Sequence, residues 1–420
     1  MQQVNSAMQQ NLKKYQLALQ QELQRLLKYW IENVPDAGDG FFGKIDHDDR
    51  VYPHAPKGTV LNSRILWAFS SAYNFTKNEE YKVMAQRAFN YINAYFIDKD
   101  FGGVYWTVDY KGQPLATKKQ TYAMAFAVYG LSEYYRCSQD AAAKEKAIAL
   151  YNDILNHTCD KKYGGYMEAF SREWNEMEEL RLSVKDANEK KSMNTHLHVL
   201  EAFANLYLIW PDESLKKNIQ QLLQLFSAHI INKKNHHLHL FFQEDWTVKS
   251  GIISYGHDIE AAWLLQEAAE IIQDEKLTGL FKVLAVKMAV AAAEGLDKDG
   301  GLWYEYDPST NHLIKEKHSW PQAEAMIGFF NAWQITGDET YLQASLKSWH
   351  FTENNILDKK GGEWVWGINE DYTVMTQEDK AGLWKCPYHN SRACMEIIKR
   401  IGRENILSSS FVKQADPPLK

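Results

Sequence analysis

Several things are scarce in this chain, and each scarcity excludes something. Lys and Arg number 47 against 54 Asp and Glu, a formal net charge of −7, so there is no basic field to draw in nucleic acid or an anionic lipid surface. No apolar run reaches membrane-spanning length, and the stretch from Met1 to Lys14 lacks the apolar core of a signal peptide. A cytoplasmic enzyme with no nucleic-acid or membrane partner is the expectation. Only four cysteines occur in 420 residues, Cys137, Cys159, Cys386 and Cys394, with no C-x-x-C pair. A disulfide framework is implausible at this size, and the four read as reduced thiols. A phosphate-cradling glycine loop is also missing. What is plentiful is aromatic: 14 Trp and 23 Tyr suit both sugar-stacking grooves and core filling.

Self-similarity organises the chain. A glycine-aromatic phrase that reads as a short hairpin recurs six times, at Gly40-Phe-Phe-Gly, Phe101-Gly-Gly-Val-Tyr-Trp, Tyr163-Gly-Gly-Tyr, His237-Leu-His-Leu-Phe-Phe, Gly300-Gly-Leu-Trp-Tyr and Gly361-Gly-Glu-Trp-Val-Trp. The fourth copy has lost its glycine pair. With Gly43, Gly103, Gly165, His239, Gly301 and Gly362 as markers, the spacings are 60, 62, 74, 62 and 61 residues. Two helical segments lie between markers, such as 61–75 followed by 78–97, the second carrying Tyr81, Met84, Ala85, Ala88 and Phe89 on one stripe. Six helix pairs without long strands imply an all-α fold, an (α/α)6 toroid in which residues 1–420 form a single barrel domain. An open solenoid would need polar capping repeats, which neither end shows.

In every repeat a helix start rich in site-like side chains follows the phrase by about twenty to thirty residues: Arg64, Tyr122, Asn194 with His198, His257 with Glu260, Trp320 with Glu324, and His389. Equivalent phase places all six sets at one mouth of the ring. Ser254-Tyr-Gly-His-Asp-Ile-Glu reads as a glycine-led turn entering a helix, with His257 and Glu260 on one face. Asn194, His198 and Glu201 share a face of another. Trp320-Pro321 marks a helix entry. The charged stretch Glu168 to Ser192 reads as a loop and partial lid. His236, His237 and His239 alternate on a short strand without a carboxylate at ligand spacing, so no metal is expected there. Three histidines converging with Arg64 amount to proton-transfer hardware: imidazoles of ordinary pKa near ~6.5 can remove and return a proton at neutral pH, while the guanidinium stabilises an enediolate oxygen.

The motifs Leu61-Asn-Ser-Arg-Ile-Leu-Trp67, Asn194-Thr-His-Leu-His-Val-Leu-Glu201, Gly256-His-Asp-Ile-Glu-Ala-Ala-Trp263 and Trp384-Lys-Cys-Pro-Tyr-His-Asn390 together resemble the cellobiose 2-epimerase family, within the N-acylglucosamine 2-epimerase superfamily. The resemblance spans essentially the whole chain. It implies an (α/α)6 barrel and reversible epimerisation at C2 of the reducing-end glucose of a β-1,4-linked disaccharide, without metal or redox cofactor. It implies further that His257 and His389 are the acid–base pair, that His198 and Arg64 hold the opened sugar's oxygen, and that Glu260 tunes His257. Tyr122, Asn194 and Glu324 would meet sugar hydroxyls, Trp320 the reducing-end ring, and Trp384 and Asp186 the distal one. Ala262 stands where the N-acylglucosamine branch tends to have glycine, which favours the disaccharide branch. A monomer acting on a disaccharide is expected. The competing readings are an N-acylglucosamine 2-epimerase, an aldose–ketose isomerase of the same fold, a glycoside hydrolase using Asp46, Asp48, Asp49, Asp297 or Asp299, and a sugar-binding protein without chemistry.

Overall fold

The computed structural model describes residues 6–412, with side chains for 7–404. Twelve α-helices follow one another: α1 (Ser6–Asn33), α2 (Thr59–Thr76), α3 (Glu79–Tyr91), α4 (Thr121–Ser138), α5 (Ala141–Asp153), α6 (Met193–Tyr207), α7 (Glu213–Leu225), α8 (Tyr255–Ile271), α9 (Glu275–Ala292), α10 (Ser319–Thr336), α11 (Glu339–Asn355) and α12 (Tyr388–Val412). Packing runs from α2 to α4, α6, α8, α10 and α12, and α12 returns to α2, so the inner ring closes. Outside it, α3, α5, α7, α9 and α11 each lie on the inner helix before them, and α1 lies on α12. The fold is the closed (α/α)6 toroid, and the open solenoid is excluded. The pairing of α1 with α12 is the one feature the repeat markers do not announce.

Composition explains which helices go inside. The outer helices α3, α5, α7, α9 and α11 begin after Asn78, Asp140, Asp212, Asp274 and Asp338, whose side chains accept first-turn N–H groups. They bury one stripe, in α3 the expected Tyr81, Met84, Ala85, Ala88 and Phe89. Inner helices are enclosed on all sides: in α4 every residue from Thr121 to Tyr134 is buried. Gly130 lets α4 approach α2, since a Cβ there would lie 2.7 Å from the Ser63 carbonyl oxygen.

Each hairpin phrase closes on a backbone bridge just after an outer helix: Pro35 with Phe41, Ile97 with Val104, Cys159 with Tyr166, Ile231 with Leu238, Leu296 with Leu302, and Leu357 with Trp364. The fourth copy keeps the bridge without its glycines, because His236 adopts φ 65° where Gly102 and Gly164 stand at 75°. Its structural equivalents of the glycine pair are therefore His236 and His237, so that His237, two residues before the marker His239, matches the marker glycines.

At four of the six corners a buried lysine two residues before an inner helix is tied to the aspartate after the bridge's first residue; at the sixth, Asp358 pairs instead with Lys380, eight residues before α12. The four pairs are Lys57 with Asp36, Lys119 with Asp98 (2.7 Å), Lys191 with Asp160 (2.6 Å) and Lys317 with Asp297 (2.8 Å). The fourth repeat has changed both members at once, to Asn232 and Ile253. A lone buried charge of either sign would be costly, so a matched loss is the physically permitted one. There His237 Nδ1 instead meets Asp258 at 2.7 Å and Nε2 meets Glu294 at 3.3 Å, so carboxylate partners do exist for this histidine, contrary to the sequence reading; they come from α8 and from the turn after α9.

Candidate active site

The inner helices all begin at one end of the ring, around a cavity of about 360 Å³. Tyr122, Asn194, Trp320 and His389 are each the second residue of their helix, and all four border it. One turn deeper come Arg64 of α2, His198 of α6 and Glu260 of α8, with His257 between the two levels. The two long insertions complete the walls: Ser183 to Asp186 from the segment before α6, and Glu378, Trp384 and Lys385 from the segment before α12. The lid stretch is pinned at both ends, since Glu168 and Lys191 are buried and Glu168 accepts hydrogen bonds from the Ser192 N–H and the Thr195 hydroxyl at 2.7 Å.

The three histidines are held differently. His198 Nδ1 lies 2.9 Å from Glu201, which also accepts the Tyr388 hydroxyl at 2.5 and 2.6 Å. His257 Nδ1 lies 2.8 Å from the Ser254 hydroxyl. His389 Nδ1 lies 2.7 Å from Glu324. The Trp320 ring sits between the last two, its centroid 4.7 Å from His257 and 5.6 Å from His389. Burial and the charge of His198 push the His257 imidazole down to about 3; burial, Arg64 and Arg392 hold His389 well below its ordinary value. Both are neutral bases at physiological pH. Arg64 Nη2 donates to the Tyr122 hydroxyl at 2.7 Å, and its guanidinium lies 4.1 Å over the Phe126 ring.

Two carboxylates behave otherwise than expected. Glu260 is not hydrogen-bonded to His257: although the two share a helix face, Glu260 accepts from Arg392 Nη2 at 2.8 Å and Ser254 takes the imidazole. Burial and the neighbouring Glu324 raise its pKa to about 8, so it carries a proton at neutral pH. Glu324 does not border the cavity and is no sugar contact; fully buried, it accepts from Trp263 Nε1 at 3.0 Å and from Arg392 at 2.6 Å and faces His389. Gly256, too, forms no turn. It is the second residue of α8, and a Cβ there would stand 2.6 Å from the Trp320 ring. Pro321 lies in the first turn of α10, which starts at Ser319.

Four contributors escaped the sequence reading. Arg392 follows His389 by three residues on α12, a spacing that places both on one face. Trp366, in the sixth hairpin phrase, has a buried indole N–H without a partner and borders the cavity, as does Asn194, whose amide oxygen is also buried and unpaired. Tyr304 and His318, stacked at 4.0 Å, close the same wall. One unmatched donor and one unmatched acceptor suit a hydroxyl-rich ligand. The hydrolase candidates lie elsewhere: Asp297 and Asp299 are salt-bridged to Lys317, Asp49 to Lys380, and Asp46 accepts from Tyr52. Glu260, Glu324 and His389 bring donor atoms within 4.8 Å of one another, as a metal site would, yet Arg392 already places its cation against both carboxylates.

Comparison with known proteins agrees with this geometry. The profile of the N-acylglucosamine 2-epimerase (GlcNAc 2-epimerase) family matches residues 40–393. A cellobiose 2-epimerase of Bacteroides fragilis is 47% identical over 386 residues, covering 90% of this chain and 98% of that protein. Another, from Dictyoglomus turgidum, is 38% identical over 378 residues, 90% of this chain and 96% of that one. The solved cellobiose 2-epimerase of Spirochaeta thermophila superposes with a TM-score of 0.89 at 33% identity, covering 96% of this chain and 100% of that one. Helix ring and matched length agree, and the chain belongs to the N-acylglucosamine 2-epimerase family, as a carbohydrate epimerase.

Proposed function

We propose that this protein reversibly epimerises the reducing-end glucose of a β-1,4-linked disaccharide at C2, converting cellobiose to glucosyl-mannose. The observation that carries the reading is the pair of neutral imidazoles, His257 and His389, on either side of Trp320, with Arg64 across the cavity. Trp320 stacks on the opened sugar, so the two histidines meet opposite faces of C2. Nδ1 of each is occupied, by Ser254 and by Glu324, which leaves Nε2 to work on the substrate. Burial raises the Glu324 carboxyl above its ordinary range; in its ionised form it accepts the Nδ1 proton of His389 and makes that ring's Nε2 a base. The Ser254 hydroxyl can donate to Nδ1 of His257, so that its Nε2 carries a proton.

One histidine takes the C2 proton and becomes an imidazolium, leaving an enediolate, and the other gives its Nε2 proton to the opposite face; proton exchange with water restores both rings before the next turnover, and in the reverse direction the roles exchange. Such positioned acid–base groups contribute about 100-fold to 10,000-fold each. Charge developing on oxygen is met by Arg64 and by the inner helices, whose N-terminal ends all face this cavity and place their positive dipole ends there. Asn194, Trp366 and Tyr122 supply hydroxyl contacts, and Trp384 with Asp186 forms the wall for the distal ring. Incubation with cellobiose in deuterated water should yield glucosyl-mannose labelled at C2 and no free glucose. His257→Ala and His389→Ala should each abolish it with the fold intact. A ketose product, free glucose, or a His389→Ala enzyme of near-normal rate would overturn the reading.

A further inference from the structure

Arg392 is buried and borders no part of the sugar cavity. Its side chain is 2% exposed, and its two terminal nitrogens reach four groups: Nη1 donates to Glu201 and meets the Tyr388 hydroxyl, while Nη2 donates to Glu260 at 2.8 Å and to Glu324 at 2.6 Å. Those carboxylates come from α6, α8 and α10, so one guanidinium on α12 joins four of the six inner helices. We propose that Arg392 is the positioning residue of the acid–base site: it holds Glu201 and Glu324 as the Nδ1 partners of His198 and His389 and keeps Glu260 between them. The proposal rests on the epimerase reading above.

Charge balance requires such a group. Three ionised carboxylates around one cation would leave two negative charges (+1 − 3) in a buried space, which is prohibitive, so protons must be retained. The arginine decides where. Against burial, which works the other way, Arg392 and His198 hold Glu201 down to about 2, whereas burial and Glu324 raise Glu260 to about 8. Other ionisable groups face the cluster from each neighbouring element. Arg64 reaches it from α2, Tyr129 from α4 and His198 from α6. Tyr122 on α4, His257 and Glu267 on α8, and Tyr388, His389 and Glu396 on α12 face it as well. Arg400 lies beyond the Trp263 ring, 5.9 Å from it, with Arg392 5.0 Å from the same ring. Among these, only Arg392 donates to all three carboxylates. A lysine could not do so, being a point charge without a planar fork.

The far end of the ring supplies a way to test it. A second cavity of about 290 Å³ lies at the C-terminal ends of the inner helices, bordered by Arg392, Glu201, Trp263 and Tyr129, and Arg392 Nε there is buried without a partner. Truncation of Arg392 would extend this cavity to the carboxylates, so a guanidinium ion could reach them without crossing the sugar site. In Arg392→Ala, kcat on cellobiose should fall by about 100-fold or more with KM within about threefold. The acid limb of kcat should move up by about one pH unit or more, because carboxylates deprived of the cation hold their protons longer. Guanidinium chloride should restore kcat saturably and without competing with cellobiose, where equal sodium chloride does not.

A folded Arg392→Ala enzyme with kcat within about threefold of wild type, or one whose loss comes with an unmoved pH limb and no rescue, overturns the proposal. Arg392→Lys serves if the alanine variant fails to fold. Lowered kcat and a raised acid limb support the proposal; wild-type values for both refute it. Imidazole ¹⁵N spectra need no substrate: changed Nδ1 signals of His198 and His389 in either variant support the role, and unchanged signals refute it. A wild-type enzyme inactive on cellobiose is the separate failure, that of the epimerase reading, and leaves the spectroscopic test in force.

Discussion

Gly256→Ala adds a single methyl group at the one inner-helix second position, among the histidine-, asparagine- and tryptophan-bearing helices around it, that carries no side chain. The new Cβ would stand 2.6 and 2.9 Å from two atoms of the Trp320 ring and 3.0 Å from Pro321 Cβ. Carbon atoms rest about 3.5–4.0 Å apart, so the indole must retreat by about 1 Å. Overpacking of this kind costs about 1–3 kcal/mol, and alanine returns at most about 1 kcal/mol of helix propensity. Net destabilisation is therefore about 0–3 kcal/mol, small for a ring of this size. Activity should suffer far more, because the displaced ring is the surface that sets the sugar between His257 and His389, and a 1 Å misplacement can cost about 100-fold. Thermal unfolding and kcat on cellobiose, measured on the same preparation, separate the two effects. A variant with kcat within about twofold of wild type would show that Trp320 does not position the substrate, and the reasoning would fail.

Two further expectations follow from buried charge. Lys191→Ile and Asp160→Asn should each cost about 3–5 kcal/mol by stranding the partner, whereas the double variant should recover at least about 2 kcal/mol of the summed loss, since the fourth repeat already carries Asn232 and Ile253 at these places. Recovery stays incomplete because Lys191 also donates to the Gly164 and Glu244 carbonyls; strictly additive losses in urea unfolding would refute the coupling. Glu260, with its folded pKa raised to about 8, contributes stability that is present below the ordinary carboxylate pKa and lost as pH rises toward 8. Wild type should accordingly lose melting temperature relative to Glu260→Gln between pH 5 and pH 8, and parallel profiles would contradict the assignment.

The ring and its mouth were legible because they rest on periodicity. Six phrases at nearly constant spacing, each followed by a helix start, place Arg64, Tyr122, Asn194, His198, His257, Trp320 and His389 around one mouth without any knowledge of packing. What periodicity does not carry is which neighbour a side chain chooses. Glu260 shares a helix face with His257, and local spacing favours that pair, but a buried guanidinium two inner helices along the ring outcompetes a neutral imidazole for a carboxylate. Glu324 was assigned to the sugar for the same reason, its partners His389 and Arg392 being 65 and 68 residues away in sequence. Arg392 itself reads in one dimension as an ordinary solvated charge on a C-terminal helix; only the convergence of α6, α8 and α10 reveals its three acidic partners. Trp366 was hidden by belonging to the hairpin phrase, where aromatic residues serve the core in most copies.

The order of helices along the chain gives the Arg392 cluster a temporal side. Glu201, Glu260 and Glu324 emerge from the ribosome on α6, α8 and α10, before the cation that reconciles them arrives on α12. An arc of inner helices assembled without α12 would have to bring three acids together unopposed, so mutual repulsion and hydration keep its centre open. The arriving α12 supplies the counter-charge, packs on α1 from the opposite end of the chain, and places His389 in the same movement. Closure of the barrel and completion of the acid–base pair are thus one event, and a nascent chain halted short of α12 has neither.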